Sequence, residues 1–382
     1  MILFLTNTFP NNNNLKQGKF NYRAAVQLSK KASLKIIHLR SWKPWRKIVE
    51  HKQIGDLQVI VFSFPIYPVR SLNILQGLQI SLYKQMFKIY LGKELKDIKL
   101  IHSVGASFSG VVGSFLSKKH KIPHIAQCIG TDINYNLPRL KNTYGIKGME
   151  KYVDIFTGNS KESARQVLRI YPNAKSKTIY RGVDLAYFKP SNLGKETSEI
   201  TFTFLGGLSL RKETGKGRDY KGGETLLKAW KELESYEKLK LNFVGPEVTK
   251  DLVNEILDGN ANTYNVFVQG ILDSEAVKAL LHETDVVIIP SWAEGLPNAG
   301  MEALASSCAI LGSYVGGIPE LIEDNGYLFE PGDSENLKEL ILKISSNKAK
   351  LESMKIQSRK IAETKFDAKQ FAEHYLKLYE SL

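Results

Sequence analysis

Short apolar runs alternate with amphipathic segments of helical period along nearly the whole of this chain. That alternation restricts the fold to parallel sheets covered by helices, because a strand buried on both faces shows a continuous apolar run. In the first half strands fit residues 2–6, 34–39, 57–62, 99–102, 124–128 and 155–157, and helices fit 21–31, 72–91, 107–120 and 160–170. In the second half strands fit 200–205, 240–244, 266–268, 285–289 and 308–312. Helices there fit 223–233, 248–257, 274–283, 297–306 and 336–345. A chain of 382 residues exceeds what one core usually serves, so two α/β domains are expected. The polar, Pro- and Gly-bearing stretch 189–195 makes a natural linker, and the asparagine run 11–14 reads as a loop.

The most specific segment is PSWAEGLPNAGMEALASSCAILGSYVGGIPE, residues 290–320. Glu294 and Glu302 stand eight positions apart around a Gly295-Leu296-Pro297-Asn298 turn that follows a buried strand and opens a helix. Pro297 suits the first helical position, where its missing N–H costs nothing. The amides of Gly295, Leu296, Asn298 and Ala299 then lie at a positive helix end, a ready seat for phosphate. Glu302 lies about one turn beyond Pro297 and can reach the hydroxyls of an attached sugar, while Glu294 addresses the other side. A phosphate cradle between two hydroxyl acceptors fits a nucleotide-sugar.

This segment resembles the E-x7-E signature of retaining glycosyltransferases of the GT-B fold, in particular glycosyltransferase family 4. Four further stretches resemble family patterns in the same order: Gly130-Thr131-Asp132, Arg181-Gly182-Val183-Asp184, Lys221-Gly222 and Gly316-Gly317-Ile318-Pro319-Glu320. The resemblance implies two Rossmann-like domains facing across a cleft. It assigns residues 1–188 to an acceptor domain and 199–365 to a donor domain, with a C-terminal helix within 366–382 returning to the first. Each motif follows an expected strand, where open α/β sheets bind ligands.

By this resemblance Glu302 holds the nucleotide ribose, Glu294 contacts the donor sugar and Lys221 stabilises the leaving diphosphate. Many relatives carry Gly-Arg at the end of the first donor-domain strand. This chain has Gly206-Gly207 there, followed by a long basic loop, so either Arg211 or Arg218 would supply the guanidinium. Ile129 stands where a histidine is frequent, which leaves Asp132 to orient a sugar or acceptor hydroxyl; a plain Gly-Thr-Asp turn is the ordinary alternative. Gly18 resembles a first-domain glycine loop at the diphosphate, and Gly245 and Ile271 lie where the base would be bordered. His102, at the end of an expected strand, is an acceptor-side candidate, although strand-end histidines are commonly structural. Asp184 is expected to serve the hinge and not the chemistry.

The donor implied is UDP- or GDP-linked, with no separate cofactor and transfer with retained configuration to a glycan or lipid-linked glycan, as in cell-surface polysaccharide assembly. No Asp-x-Asp occurs, so no essential metal is expected. A nucleotide-sugar epimerase of similar architecture and a non-catalytic sugar-nucleotide or polyanion binder stay open as alternatives.

Charge adds one constraint. Residues 1–190 hold 31 Lys+Arg against 9 Asp+Glu, whereas the remainder holds 22 against 30. A first half this basic points to an anionic membrane surface more than to nucleic acid, since no zinc spacing, basic zipper or aromatic RNA-binding motif is present. Trp42 and Trp45 among Lys43, Arg46 and Lys47, together with the 72–91 helix (Leu72, Leu75, Leu78, Leu82, Met86 and Ile89 with Lys84 and Lys88, and Lys93 just beyond), suit such a surface; a core helix plus a basic loop is the ordinary alternative. No apolar run is long enough to span a bilayer, the opening MILFLTNTFP reads as a strand and not a signal peptide, and Cys128 and Cys308 make no disulfide framework. The expected location is the cytoplasm, peripheral at the inner face of the cell membrane.

Overall fold

The computed structural model describes residues 1–10, 18–41, 43–64, 81–82, 85–140, 142, 146–191, 199–208 and 219–382. The chain divides into two compact units, Met1–Arg181 with Lys369–Leu382, and Gly182–Ala368. Arg211, Arg218, Trp42, the asparagine run 11–14 and most of the expected 72–91 helix lie outside the described residues, as does part of the expected linker. Residues 85–91 are helical.

The first unit is built on an eight-stranded sheet: β1 (Ile2–Thr6), β2 (Leu34–Ser41), β3 (Val49–Ile54), β4 (Leu57–Phe64), β5 (Leu100–Val104), β6 (His124–Cys128), β7 (Ile155–Gly158) and β8 (Ser176–Thr178). Their order is β3-β4-β2-β1-β5-β6-β7-β8. Only β3 runs antiparallel, in a hairpin with β4 turned at Gly55-Asp56. β1 is buried at all five positions and pairs with β2 from Ile2↔Leu34 and with β5 from Ile2↔Leu100. Chain order reverses between β1 and β5, so their carboxyl ends open the unit's crevice. α1 (Lys19–Ser29), α2 (Ser109–His120) and α3 (Lys161–Ile170) cover the sheet. α3 begins where the Ser160 hydroxyl accepts the Ser163 amide, as its Ser-x-x-Ser start requires.

The second unit holds β9 (Ile200–Leu205), β10 (Leu239–Val244), β11 (Val266–Gln269), β12 (Val286–Ile289), β13 (Ala309–Ser313) and β14 (Gly326–Phe329). All pairings are parallel, in the order β11-β10-β9-β12-β13-β14. Counted from β9 this is the 3-2-1-4-5-6 order of a dinucleotide-binding sheet, with its switch point between β9 and β12. The helices are α4 (Gly223–Lys231), α5 (Lys250–Leu257), α6 (Ser274–Glu283), α7 (Asn298–Ala305), α8 (Ser334–Ser345) and α9 (Lys348–Lys365). Side chains of Thr249, Asp273, Asp333 and Asn347 cap α5, α6, α8 and α9. Trp230 of α4 is wholly buried against Phe202 and donates its indole N–H to the Tyr264 carbonyl at 2.8 Å, anchoring α4 to the sheet.

α10 (Ala368–Glu380) belongs to the first unit for nearly all its length. Phe371, Ala372, Tyr375 and Leu378, on one helical face, complete the core around Phe4 and Ile125. The Tyr375 hydroxyl lies 2.7 Å from Thr157 Oγ1, so the helix is held by polar as well as apolar contacts.

Candidate active site

At the switch point of the second sheet, two loops that follow β9 and β12 are tied together. The Trp292 amide donates to the Tyr220 carbonyl at 3.0 Å. Gly222, at φ 73°, presses so closely on Pro290 that a Cβ would lie 1.8 Å from its carbonyl oxygen, which only glycine permits. This crossing brings Lys221 to Glu294: the Lys221 ammonium donates to Glu294 Oε1, and the Ser291 hydroxyl donates to the same oxygen at 3.2 Å. The Glu294 side chain is 12% exposed and that of Lys221 39%, so the carboxylate is walled in while the ammonium still meets solvent.

The loop after β13 closes the other flank. Gly317 donates its amide to the Gly295 carbonyl at 2.6 Å, and Gly316, at φ 55°, leaves no room for a Cβ, which would sit 1.9 Å from the Glu294 carbonyl oxygen. Leu296 is buried. Pro297 stands one position earlier than expected: its ψ of 128° is extended, and α7 starts at Asn298. Pro297 therefore flanks the helix, and its carbonyl accepts from Gly300 and Met301. The amides of Asn298 and Ala299 precede this ladder at the positive end of α7. Glu302 is half-buried on the same helix.

Gly207 and Gly245 lie at the ends of β9 and β10, joined where Gly206 donates to the Val244 carbonyl at 2.9 Å. Ile271, beyond β11, is 61% exposed. The second unit therefore collects Lys221, Glu294, Gly295, Leu296, Pro297, Asn298, Glu302, Gly207, Gly245 and Ile271 along one carboxyl edge. Asp219 belongs with them although its sequence position attracted no role. It is 3% exposed, and its carboxylate accepts the amides of Lys221 and Glu224, each at 3.0 Å. An aspartate a few residues ahead of a helix was the available signal.

In the first unit Gly18 caps α1 at φ 73°, and its carbonyl accepts from Asn21 and Tyr22 at the carboxyl end of β1. Two expectations need correction. His102 was placed at a strand end, but β5 continues to Val104 and His102 sits inside it, wholly buried. Its ring stacks on Tyr375 at 4.6 Å, its Nδ1 is 2.7 Å from the Tyr379 hydroxyl, and burial drives its pKa down to about 3. His102 joins α10 to the sheet and is a core residue. Asp132 was placed among catalytic groups, but it is 4% exposed and its oxygens are committed to backbone amides. Oδ1 accepts from Ile129 and Gly130 at 2.9 Å, and Oδ2 from Ala106 at 2.7 Å. Burial raises its pKa against the pull of those bonds, and the residue ties the loops after β5 and β6 together. Asp184 caps a local turn, accepting from Ala186 and Tyr187.

Among the described residues no group of three or more His, Cys, Asp or Glu side chains is placed to hold a metal ion, and no helix is long and apolar enough to cross a membrane.

Two mostly parallel Rossmann-like sheets with the last helix returned to the first unit define the GT-B class of fold, and solved structures of that class superpose over the whole chain. Sucrose-phosphate synthase from Thermosynechococcus elongatus is similar with a TM-score of 0.73 and 18% identity, covering 100% of this chain and 98% of that one. Anabaena HepE, solved in complex with UDP, is similar with a TM-score of 0.69 and 17% identity, covering 100% of both chains. Residues 214–361, most of the second unit, match the family model of glycosyl transferases group 1. Spore coat protein SA of Bacillus subtilis is 31% identical over 232 residues, 55% of this chain and 60% of that protein, so the match spans less than two thirds of this relative. The putative teichuronic acid biosynthesis glycosyltransferase TuaC of the same organism is 23% identical over 89% of this chain and 88% of its own length.

Proposed function

We propose that the protein is a glycosyltransferase of polysaccharide biosynthesis that moves a sugar from a nucleotide diphosphate to a hydroxyl of a glycan or lipid-linked glycan, with retained configuration. The observation that carries this reading is the Lys221–Glu294 pair at the β9/β12 switch point, beside the start of α7. The start of α7 and the Lys221 ammonium are suited to a diphosphate, and Glu302 on the same helix to the ribose. Glu294 is suited to the donor sugar, where a carboxylate stabilises a ring that gains positive charge as its bond to phosphate breaks. The departing phosphate oxygen takes the acceptor's proton on the same face, so no side-chain base is required. Lys221 and the helix end are proposed to carry the charge neutralisation without a metal.

UDP is the first donor base to test, because HepE was solved with UDP. The purified protein is expected to hydrolyse slowly at least one sugar from a panel of UDP- and GDP-sugars, releasing nucleoside diphosphate with turnover unchanged in chelator. Release of an isomerised nucleotide-sugar instead would make it an epimerase, and absence of any binding across the panel would end the proposal.

The acceptor is proposed to meet the first unit at a membrane surface. Trp45 is 76% exposed, Ile48 55%, Ile89 71% and Tyr90 47%. Two of them lie against β4: the Ile48 carbonyl accepts from Ser63 at 2.8 Å, and the neighbouring Phe62 ring lies 5.9 Å from Tyr90. Lys43 stands over Trp45 at 5.2 Å, with Arg46 and Lys47 beside it in the chain. Apolar tips among cations suit anionic lipid. The protein is expected to sediment with phosphatidylglycerol vesicles, and a Trp45→Ala/Ile89→Ser variant to lose most of that binding. Equal sedimentation of the two would remove this surface from the proposal.

A further inference from the structure

We infer that Asp219 is a positioning residue for Lys221, its carboxylate capping the start of α4 and fixing the backbone from which Lys221 reaches the proposed diphosphate. The inference rests on the proposed reading of the second unit as a diphosphate site. Two helices begin beside the Lys221–Glu294 pair, α4 after β9 and α7 after β12, and either topology alone would admit an anion.

At α4 three of the four amides from Lys221 to Glu224 are taken by Asp219. Its carboxylate accepts from Lys221 and Glu224 at 3.0 Å, and its carbonyl accepts from Gly222 at 3.2 Å. An internal anion is thus in place at the positive end of the helix. Pro297, which flanks α7, has no polar side chain that could do the same there.

The same bonds root Lys221. Its amide is held by Asp219, the preceding carbonyl by Trp292, and the following Gly222 is wedged on Pro290. The backbone is therefore pinned on both sides, while the side chain, 39% exposed and paired with the Glu294 carboxylate, is within reach of a phosphate bound beside it. Burial raises the Asp219 pKa, so its charge depends on the amides it accepts.

The test is a double-mutant cycle read by calorimetric titration of the full chain with inorganic pyrophosphate. Asp219→Ala and Lys221→Ala are each expected to weaken binding about tenfold, and the double variant to be within about twofold of Lys221→Ala, since Asp219 acts through a side chain already gone. Independent, multiplying losses would overturn the inference, because a residue supporting only the fold would weaken binding equally in both backgrounds. Should Asp219→Ala fail to fold, the cycle is read with Asp219→Asn, which keeps one acceptor oxygen and the side-chain shape. A wild-type chain that ignores pyrophosphate would overturn the diphosphate site and this inference with it. A wild-type chain that binds, with both Asp219 variants unchanged, would overturn the role of Asp219 alone.

Discussion

Glu294→Gln is expected to lower turnover by about two to three orders of magnitude while leaving donor affinity within about threefold of wild type. The amide keeps the shape of the carboxylate and accepts one hydrogen bond from Ser291 or Lys221, so the loop that carries it stays seated against Gly316. What it lacks is charge. In the proposed reaction charge matters most when the sugar ring is cation-like, so the loss falls on the transition state more than on the bound donor. The pair with Lys221 sharpens this expectation. In the free protein the ammonium is paired with Glu294, which competes with a phosphate for its charge, and in Glu294→Gln that competition is weaker. Donor affinity should therefore hold or tighten even as turnover collapses. Lys221→Ala should reduce both, because it removes the cation from ground state and transition state alike. Steady-state turnover measured beside donor titration separates these outcomes, and Glu294→Gln with near wild-type turnover would remove Glu294 from the donor site.

Acidification is expected to destabilise the first unit by roughly 4 kcal/mol between pH 7.5 and 5.5, about 1.4 kcal/mol for each of three buried histidines. His38 and His124 are each driven down to about 4 and His102 to about 3, in every case mainly by burial. The folded unit keeps these rings neutral, whereas the unfolded chain protonates them below about 6.5. The stability they permit is therefore complete above that pH and is lost as pH falls toward the folded values. His124 shows why they stay neutral: its Nδ1 is 3.1 Å from the Tyr152 carbonyl and its Nε2 2.6 Å from the Ser103 hydroxyl, with no carboxylate at either ring nitrogen. Asp132, raised by burial, titrates in the opposite sense, so the difference between variants is the cleaner measurement. Urea midpoints at the two pH values should fall steeply for the wild type. For His102→Phe they should fall by about one third less, whatever that variant's absolute stability. Equal pH dependence in the two would show that His102 does not titrate as its burial requires.

Much of the second unit was legible because its signals are local. The buried strand at 285–289, the Gly-Leu-Pro-Asn turn and the helix after it are neighbours in sequence, and each carries its own apolar period or turn residue. The β3 hairpin was missed because Val49–Ile54 has only Ile54 buried, so it shows no apolar run, although Gly55-Asp56 is a hairpin signal. α9 was missed because its mean character is polar and its buried positions, Leu351, Met354, Ser358, Ile361 and Ala362, include a serine paired with Asn325. His102 and Asp132 were misplaced for one shared reason. Both are polar groups near strand ends, and whether such a group faces a crevice or the interior depends on segments far away: α10 for His102, and the β5 loop for Asp132.

By itself the amino-acid order determined that this chain forms two sets of parallel strands wrapped by helices, and that an acid-flanked, glycine-rich helix start lies in the second. Periodicity and turn chemistry act over a few residues and need no partner. Only the tertiary structure decided which polar groups are working surfaces and which are braces. It set Lys221 on Glu294 across 73 residues and closed the start of α4 with Asp219. The reason is physical: a hydrogen bond or a desolvated charge depends on what the fold brings within a few ångströms, and sequence distance carries almost none of that information.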